Sequence, residues 1–114
     1  MKNIVLPDNK ERSLAFYLAM EEFVARSVED EAFFVGRVAP TGIIGRNQDL
    51  EAEVNMDYCR QHDVKVVRRK SGGGCVYSDM GNIMISFVSR RGDVAEIFDK
   101  YLTSLTLCLR SLGL

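Results

Sequence analysis

Three consecutive glycines, Gly72-Gly73-Gly74, directly follow Arg68-Arg69-Lys70-Ser71, and no other stretch of the chain constrains its structure and chemistry so strongly. Glycines in a row let successive backbone N–H groups converge on one point with no Cβ in the way, which makes an anion-binding concavity. The flanking cations add charge beside it. An arginine can grip a carboxylate or phosphate through two parallel hydrogen bonds, and the Ser71 hydroxyl can donate a third. These are the parts of a mixed-anhydride or nucleotide site. The same residues also describe a plain glycine-rich hairpin with an exposed basic flank. A P-loop is excluded, because Lys-Ser stands before the glycines and the G-x-x-x-x-G-K-[ST] spacing is missing. A dinucleotide fingerprint fits no better, since Gly74 leads into a β-rich segment and not into a helix that would receive a pyrophosphate.

Around the glycines the chain reads as short strands joined by tight connections. A strand over Val64 to Arg68 precedes them and one over Cys75 to Tyr77 follows. Ser78-Asp79-Met80-Gly81 then supplies turn chemistry before a strand over Ile83 to Val88. Upstream, Asn3 to Leu6 predicts a short strand stopped by Pro7, with Asp8 or Asn9 capping a helix that runs to about Val28. Leu14, Tyr17, Leu18, Val24, Ala25 and Val28 share a face of that helix with one carboxylate, Glu21, which a small roll would bring to the edge of the stripe. Ala32 to Val38 reads as a strand, Pro40-Thr41-Gly42 as a break and Ile43-Ile44-Gly45 as a further short strand. Asn55 is a good N-cap for a helix through Gln61, and His62, the only histidine, reads as an exposed residue at its exit. From Asp93 to Leu112 the pattern is helical, with a broad apolar face from Val94, Ile97, Phe98, Tyr101, Leu102 and Leu105 onward that needs a partner.

A chain of 114 residues buries a single core, and no repeat or linker divides it. Fifteen Lys and Arg against sixteen Asp and Glu leave a formal charge of −1, so no chain-wide field holds a nucleic acid and any phosphate chemistry must be local. Cys59, Cys75 and Cys108 lack CxxC spacing, and no signal-like segment opens the chain, a pattern expected of a reduced, cytoplasmic protein. The longest apolar run, Tyr101 to Leu114, is broken by polar residues, so no membrane span is expected.

Arg68-Arg69-Lys70-Ser71-Gly72-Gly73-Gly74-Cys75-Val76-Tyr77-Ser78-Asp79-Met80-Gly81-Asn82 resembles the Arg-Arg-x-Ser-Gly-Gly-Gly-x-Val-[Phe/Tyr]-x-Asp-x-Gly-Asn signature of lipoate-protein ligases. Gly45-Arg46-Asn47-Gln48 with Glu53-Val54-Asn55 is similar to the Gly-Arg-x-Gln and Glu-x-Asn pattern ahead of that signature, and Leu18-Ala19-Met20-Glu21-Glu22 looks like the family's first helix. The three motifs stand in the family's order. The resemblance implies an α/β (α+β) fold with a mixed, largely antiparallel sheet and flanking helices, shared with biotin-protein ligases and class II aminoacyl-tRNA synthetases. Residues 1–114 would be the N-terminal part of the catalytic domain. Such enzymes spend ATP, with Mg²⁺, to turn lipoate into lipoyl-adenylate. They then pass the acyl group to a lysine of an acceptor lipoyl domain in 2-oxoacid dehydrogenase complexes or of the glycine cleavage H protein.

By this likeness Arg69, Ser71, Gly72, Gly73 and Gly74 line the adenylate, Asn82 sits at its edge, and Glu21 lies near the acyl pocket. Ile43, Ile44, Val76 and Tyr77 are candidates for an apolar slot that takes lipoate's tail. No metal ligand is assigned: Asp79 in Ser-Asp-Met-Gly reads first as a turn former. The family's adenylate-contacting lysine belongs to a Lys-x-x-Gly context beyond Leu114, so no catalytic residue is assigned within the chain. The chain departs from the family at Ser78, where a His is frequent, and at Gly36, where a Trp is common. The resemblance leaves two alternatives: an acyltransferase of the same fold, for which Cys75 is the tempting nucleophile, and a module that binds lipoate or its adenylate without turnover.

Overall fold

The computed structural model describes residues 1–7 and 10–114; Asp8 and Asn9, expected to cap the first helix, lie outside the described residues. That helix, α1 (Leu14–Ser27), begins behind Ser13, whose hydroxyl accepts the Phe16 N–H at 3.2 Å. Its apolar stripe works as expected at Leu14, Tyr17 and Val24, which are buried, but Ala25 faces solvent. The helix C-terminus is closed from a distance: the Arg90 guanidinium donates to the carbonyls of Ala25 and Arg26. A cation there satisfies orphan carbonyls and complements the helix dipole. Arg90 is thus a cap.

A short strand β1 (Lys2–Asn3) pairs parallel to β2 (Glu31–Gly36), which pairs antiparallel to β6 (Met84–Ser89). Alternation along β2 sends Ala32, Phe34 and Gly36 to α1. The opposite face carries Phe33, whose ring meets Phe87, and Phe87 stacks in turn on Tyr101 at 4.4 Å between centroids. Tyr101 belongs to α4 (Val94–Ser111), capped by Asp93, so α1 and α4 cover opposite faces of this sheet. Of the broad apolar face of α4 only Tyr101 is buried. Lys100 pairs with Glu31, and that hydrogen bond holds the Glu31 carboxyl below its ordinary range.

The second sheet has β3 (Thr41–Ile44) at its centre, parallel to β4 (Lys65–Arg68) and antiparallel to β5 (Val76–Ser78). The expected break at Pro40-Thr41-Gly42 is shorter than the composition suggests: Thr41 and Gly42 join the ladder, the Thr41 hydroxyl satisfied by the Ala39 carbonyl at 2.7 Å. Every residue of β3 is buried, the mark of a strand covered on both faces. Ile43 enters the same core as Leu14, Tyr17, Val24 and Phe34, which joins the two sheets through α1. Between β3 and β4 lie α2 (Leu50–Glu53), which the sequence pattern does not announce, and α3 (Met56–Gln61), capped by Asn55 as expected. His62 ends α3, stacked on Tyr58 at 3.8 Å.

Gly36 has a steric reason. A Cβ there would lie 2.3 Å from the Tyr17 ring, which fills the space a larger residue would need. Over Gly72, by contrast, a Cβ meets nothing within 4 Å. Gly36→Ala should therefore lose about 1–3 kcal/mol in urea unfolding, as overpacked cores do. Gly72→Ala should stay within about 1 kcal/mol of the parent.

Candidate functional site

The glycine-rich loop connects β4 to β5, and both arginines that precede it point their guanidinium groups at backbone. Arg68 Nη1 donates to the carbonyls of Gly45 at 3.0 Å and Gln48 at 2.7 Å, tightening the turn after β3. Arg69 donates from Nη2 to Gly72 O at 2.8 Å and Gly74 O at 2.7 Å, from Nε to Gly72 O, and from Nη1 to Ile43 O at 3.4 Å. The loop is also tied edgewise, Arg46 N donating to Ser71 O at 2.9 Å. Gly73 takes a positive φ of 98°, and a Cβ on Gly45 would sit 2.1 Å from its carbonyl oxygen. Two glycines are thus needed where the turn and the loop touch.

The consequence for chemistry is directional. With the Gly72 and Gly74 carbonyls pulled in towards Arg69, the N–H groups of Gly72 and Gly73 have no hydrogen-bond partner among the described residues, and the segment from Ser71 to Gly74 is exposed. Exposed amides beside two guanidiniums are complementary to an anion.

Next to the loop, between α1 and the second sheet, runs a groove of about 840 Å³. Its lining combines polar side chains, among them Glu21, Arg69 and Ser71, with the apolar Leu18, Ile43, Val76 and Met84. Glu21 is not idle on the apolar stripe: its carboxylate accepts the Ser86 hydroxyl at 2.6 Å, which ties α1 to β6 beneath the groove.

The structure thus gathers Arg69, Ser71 and Glu21 around one space, with Gly72, Gly73 and Gly74 continuing the same loop. Of the four slot candidates, strand alternation separates two. Ile43 and Val76 are paired across β3 and β5 and face the groove, whereas Ile44 is core and Tyr77 projects elsewhere, its hydroxyl donating to Asp79 at 3.1 Å. Partial desolvation, then the Asp79 hydrogen bond, raises the Tyr77 phenol above its ordinary value. Asn82 is engaged in the turn after β5, its side-chain oxygen accepting the Asp79 N–H at 3.0 Å. Asp79 accepts in turn from Gly81 N at 2.8 Å, so its carboxylate is used as a turn former. Sequence reasoning missed the clasp made by Arg68 and the part played by Glu22. The paired arginines signalled the first, and the adjacent glutamates the second.

Glu22 reaches across the mouth of the groove to Lys70, Oε2 to Nζ at 3.1 Å, and also pairs with Arg26. The Lys70 hydrogen bond, its charge and that of Arg26 hold the Glu22 carboxyl below the usual range. Because the folded value is depressed, the pairing is in place above the ordinary carboxylate pKa and is lost as pH falls through the depressed one. In a carboxyl-carbon NMR titration Lys70→Met should move the Glu22 midpoint upwards, towards that of a free glutamate; an unmoved midpoint would show that the bridge does not form in solution.

Residues 13–114 match the lipoyl protein ligase A/B catalytic domain. The chain is 41% identical over 101 residues to lipoate–protein ligase 1 of Staphylococcus aureus, covering 84% of this chain and 30% of that protein. It is 40% identical over 77 residues to the mitochondrial lipoyl amidotransferase LIPT1 of Mus musculus, covering 65% of this chain and 21% of that one. Among solved structures, a T. acidophilum protein with bound lipoic acid superposes with a TM-score of 0.83 at 30% identity, over 99% of this chain and 48% of that one. A lipoate-protein ligase A bound with ATP gives 0.85 at 30% identity over 99% and 47%. A bi-partite ligase from Thermoplasma acidophilum, described with its E2 lipoyl domain, gives 0.81 at 29% identity over 99% and 46%. The chain spans less than half the length of these relatives, and by the family match over nearly its whole length it belongs to the lipoyl protein ligase A/B catalytic domain family.

Proposed function

We propose that the chain forms the adenylate-facing part of a lipoate–protein ligase. The observation that carries this reading is the single groove in which an anion-complementary loop adjoins an apolar slot. Lipoate has that form: a carboxylate on an aliphatic chain. A carboxylate oxygen of lipoate bonds to the α-phosphorus of ATP, the bond to the β-phosphate breaks, and pyrophosphate leaves. The amine of an acceptor lysine then attacks the acyl carbon of lipoyl-adenylate and releases AMP. In this chain the Gly72 and Gly73 amides and the Ser71 hydroxyl donate to the phosphate and acyl oxygens. Arg69 holds the loop in the donating shape, and Leu18, Ile43, Val76 and Met84 take the aliphatic tail. Preorganised donors of this kind stabilise developing charge without reorganising solvent.

Among the described residues no group of three or more His, Cys, Asp or Glu is placed to hold a metal ion, and the Asp79 carboxylate is spent in its turn. Mg²⁺ enters this reading with the phosphates of ATP. The acceptors are lipoyl domains of 2-oxoacid dehydrogenase complexes or the glycine cleavage H protein, and the compartment is the cytoplasm; no helix among the described residues is long and apolar enough to cross a membrane. The relatives run well beyond the part matched here, so the family's adenylate-contacting lysine is assigned to that further part. The amidotransferase relative favours a second reading, acyl transfer without ATP. Pyrophosphate release dependent on lipoate, from this chain extended by the rest of the domain, separates the two: the transferase releases none.

Two outcomes test the loop. In calorimetry with a non-hydrolysable lipoyl-adenylate analogue, Arg69→Ala should weaken binding by roughly tenfold or more, because the loop carbonyls lose a charged donor. Lys70→Ala, which removes only an exposed ion pair, should change it by no more than about threefold. Gly73→Val should abolish binding, since a branched side chain cannot take its backbone conformation beside Arg69. Equal effects of Arg69→Ala and Lys70→Ala, or normal binding by Gly73→Val, would reduce the loop to an ordinary turn.

A further inference from the structure

Among the described residues one lysine, Lys70, lines the groove, and it stands in the chain directly between Arg69 and Ser71. Its side chain is 90% exposed, and its Nζ crosses the groove mouth to meet Glu22 of α1 at 3.1 Å. The other lysines sit elsewhere: Lys2 in β1, Lys10 on a separate cavity beside β1 and β2, Lys65 at the start of β4 and Lys100 on α4, paired with Glu31.

A primary amine in that position has a chemical consequence. Lipoyl-adenylate is a mixed anhydride, and the group that discharges it is a lysine amine. Ser71, whose hydroxyl donates to the adenylate's oxygens in the ligase reading, is the next residue along the chain, its Cα about 3.8 Å from that of Lys70. The four-carbon stem of a lysine is flexible, so its amine sweeps the space around that point. An amine tethered beside a bound acyl group needs no diffusional encounter, which is the advantage intramolecular reactions hold over bimolecular ones. Its partner holds it back. While Nζ donates to Glu22 it is an ammonium, with no lone pair to attack a carbonyl. That hold is loose, because an exposed ion pair contributes little.

We propose that Lys70 is an internal acyl acceptor: it takes the lipoyl group from the bound adenylate when no acceptor protein arrives, and the ion pair to Glu22 restrains it. The proposal rests on the ligase reading for the identity of the acyl donor. In the step, Nζ leaves Glu22 and gives its ammonium proton to solvent, and its lone pair attacks the acyl carbon. The bond from that carbon to the phosphate oxygen breaks, AMP leaves with the electron pair, and the nitrogen loses a second proton to solvent as the amide forms. An amide carries no charge, so the ion pair across the groove mouth is lost and Glu22 keeps only Arg26 as its cationic partner. The acyl arm then stands at the mouth, where it obstructs the next substrate.

The test incubates the chain with synthetic lipoyl-adenylate and locates the lipoyl mass by peptide mass spectrometry, while calorimetry with the non-hydrolysable analogue measures binding separately. Lys70 should carry at least about tenfold more label than any of Lys2, Lys10, Lys65 and Lys100, as a tethered nucleophile requires. An excess of the analogue should suppress that label. Lys70→Arg, which keeps the cation, should lose both the label and the AMP released with it. Glu22→Gln should raise labelling by about two- to fivefold, the range an exposed ion pair allows; unchanged or lower labelling overturns the restraint. Even labelling of the lysines, or label on Lys70 that the analogue does not suppress, means acylation from solution and overturns the proposal. Analogue binding with Lys70 unlabelled also overturns it and leaves the ligase reading standing. Failure of the analogue to bind removes the ligase reading and the proposal with it.

Discussion

The candidate site depends on one side chain turned inward. Arg69 spends its guanidinium on the carbonyls of Gly72, Gly74 and Ile43. A run of glycines loses more conformational freedom on ordering than any other sequence, and a loop of three would otherwise sample many shapes. Charge-assisted hydrogen bonds to two of its carbonyls remove that freedom, and they do so asymmetrically. Across a trans peptide the carbonyl and the next residue's N–H lie on opposite sides, so drawing in the Gly72 carbonyl turns the Gly73 N–H away from Arg69, and the Arg46 N–H on Ser71 O does the same for the Gly72 N–H. The third bond, to Ile43, anchors the loop to the central strand of its sheet.

Close approach makes this possible. The turn after β3 and the glycine loop touch at Gly45 and Gly73, where no side chain fits, and Arg68 draws the turn's carbonyls together from the other side. Two neighbouring arginines therefore serve two neighbouring turns, and neither is a free point charge. α1 then closes the site by burying Leu14, Tyr17 and Val24 against the sheets while presenting Leu18 and Glu21 to the groove. The result is a groove with both polar and apolar lining within a chain that has a small core.

The same economy explains the other face. In the three-stranded sheet with a helix on each side, the face of β2 towards α1 is buried, whereas Val35 on its other face and much of β6 and α4 stay partly open. Phe87 stacks on Tyr101 and meets Phe33 at a tilt, and beyond this cluster Phe98, Leu102 and Ile83 stay exposed.

Local properties were legible without coordinates. The triple glycine with its basic flank, the cap at Asn55, the strand spacing around the loop, the apolar stripe of α1 and the unsatisfied face of α4 all follow from periodicity and turn chemistry, which depend on neighbours in sequence. The ends of elements were less legible, because Ser13, Thr41 and Gly42 are placed by what packs on them. The roles of particular side chains were not legible at all. Arg69 could have gripped a ligand, Arg90 could have faced solvent and Tyr77 could have lined the slot. Tertiary structure turned the first onto carbonyls beside it, bound the second to the end of a helix 64 residues earlier and rotated the third away from its strand neighbour Val76. Sequence determined which groups are present and how often they recur along the chain. Only the folded structure decided which of them are spent on one another and which stay free for a ligand, because hydrogen-bond donors are satisfied in space, by partners that local pattern does not name.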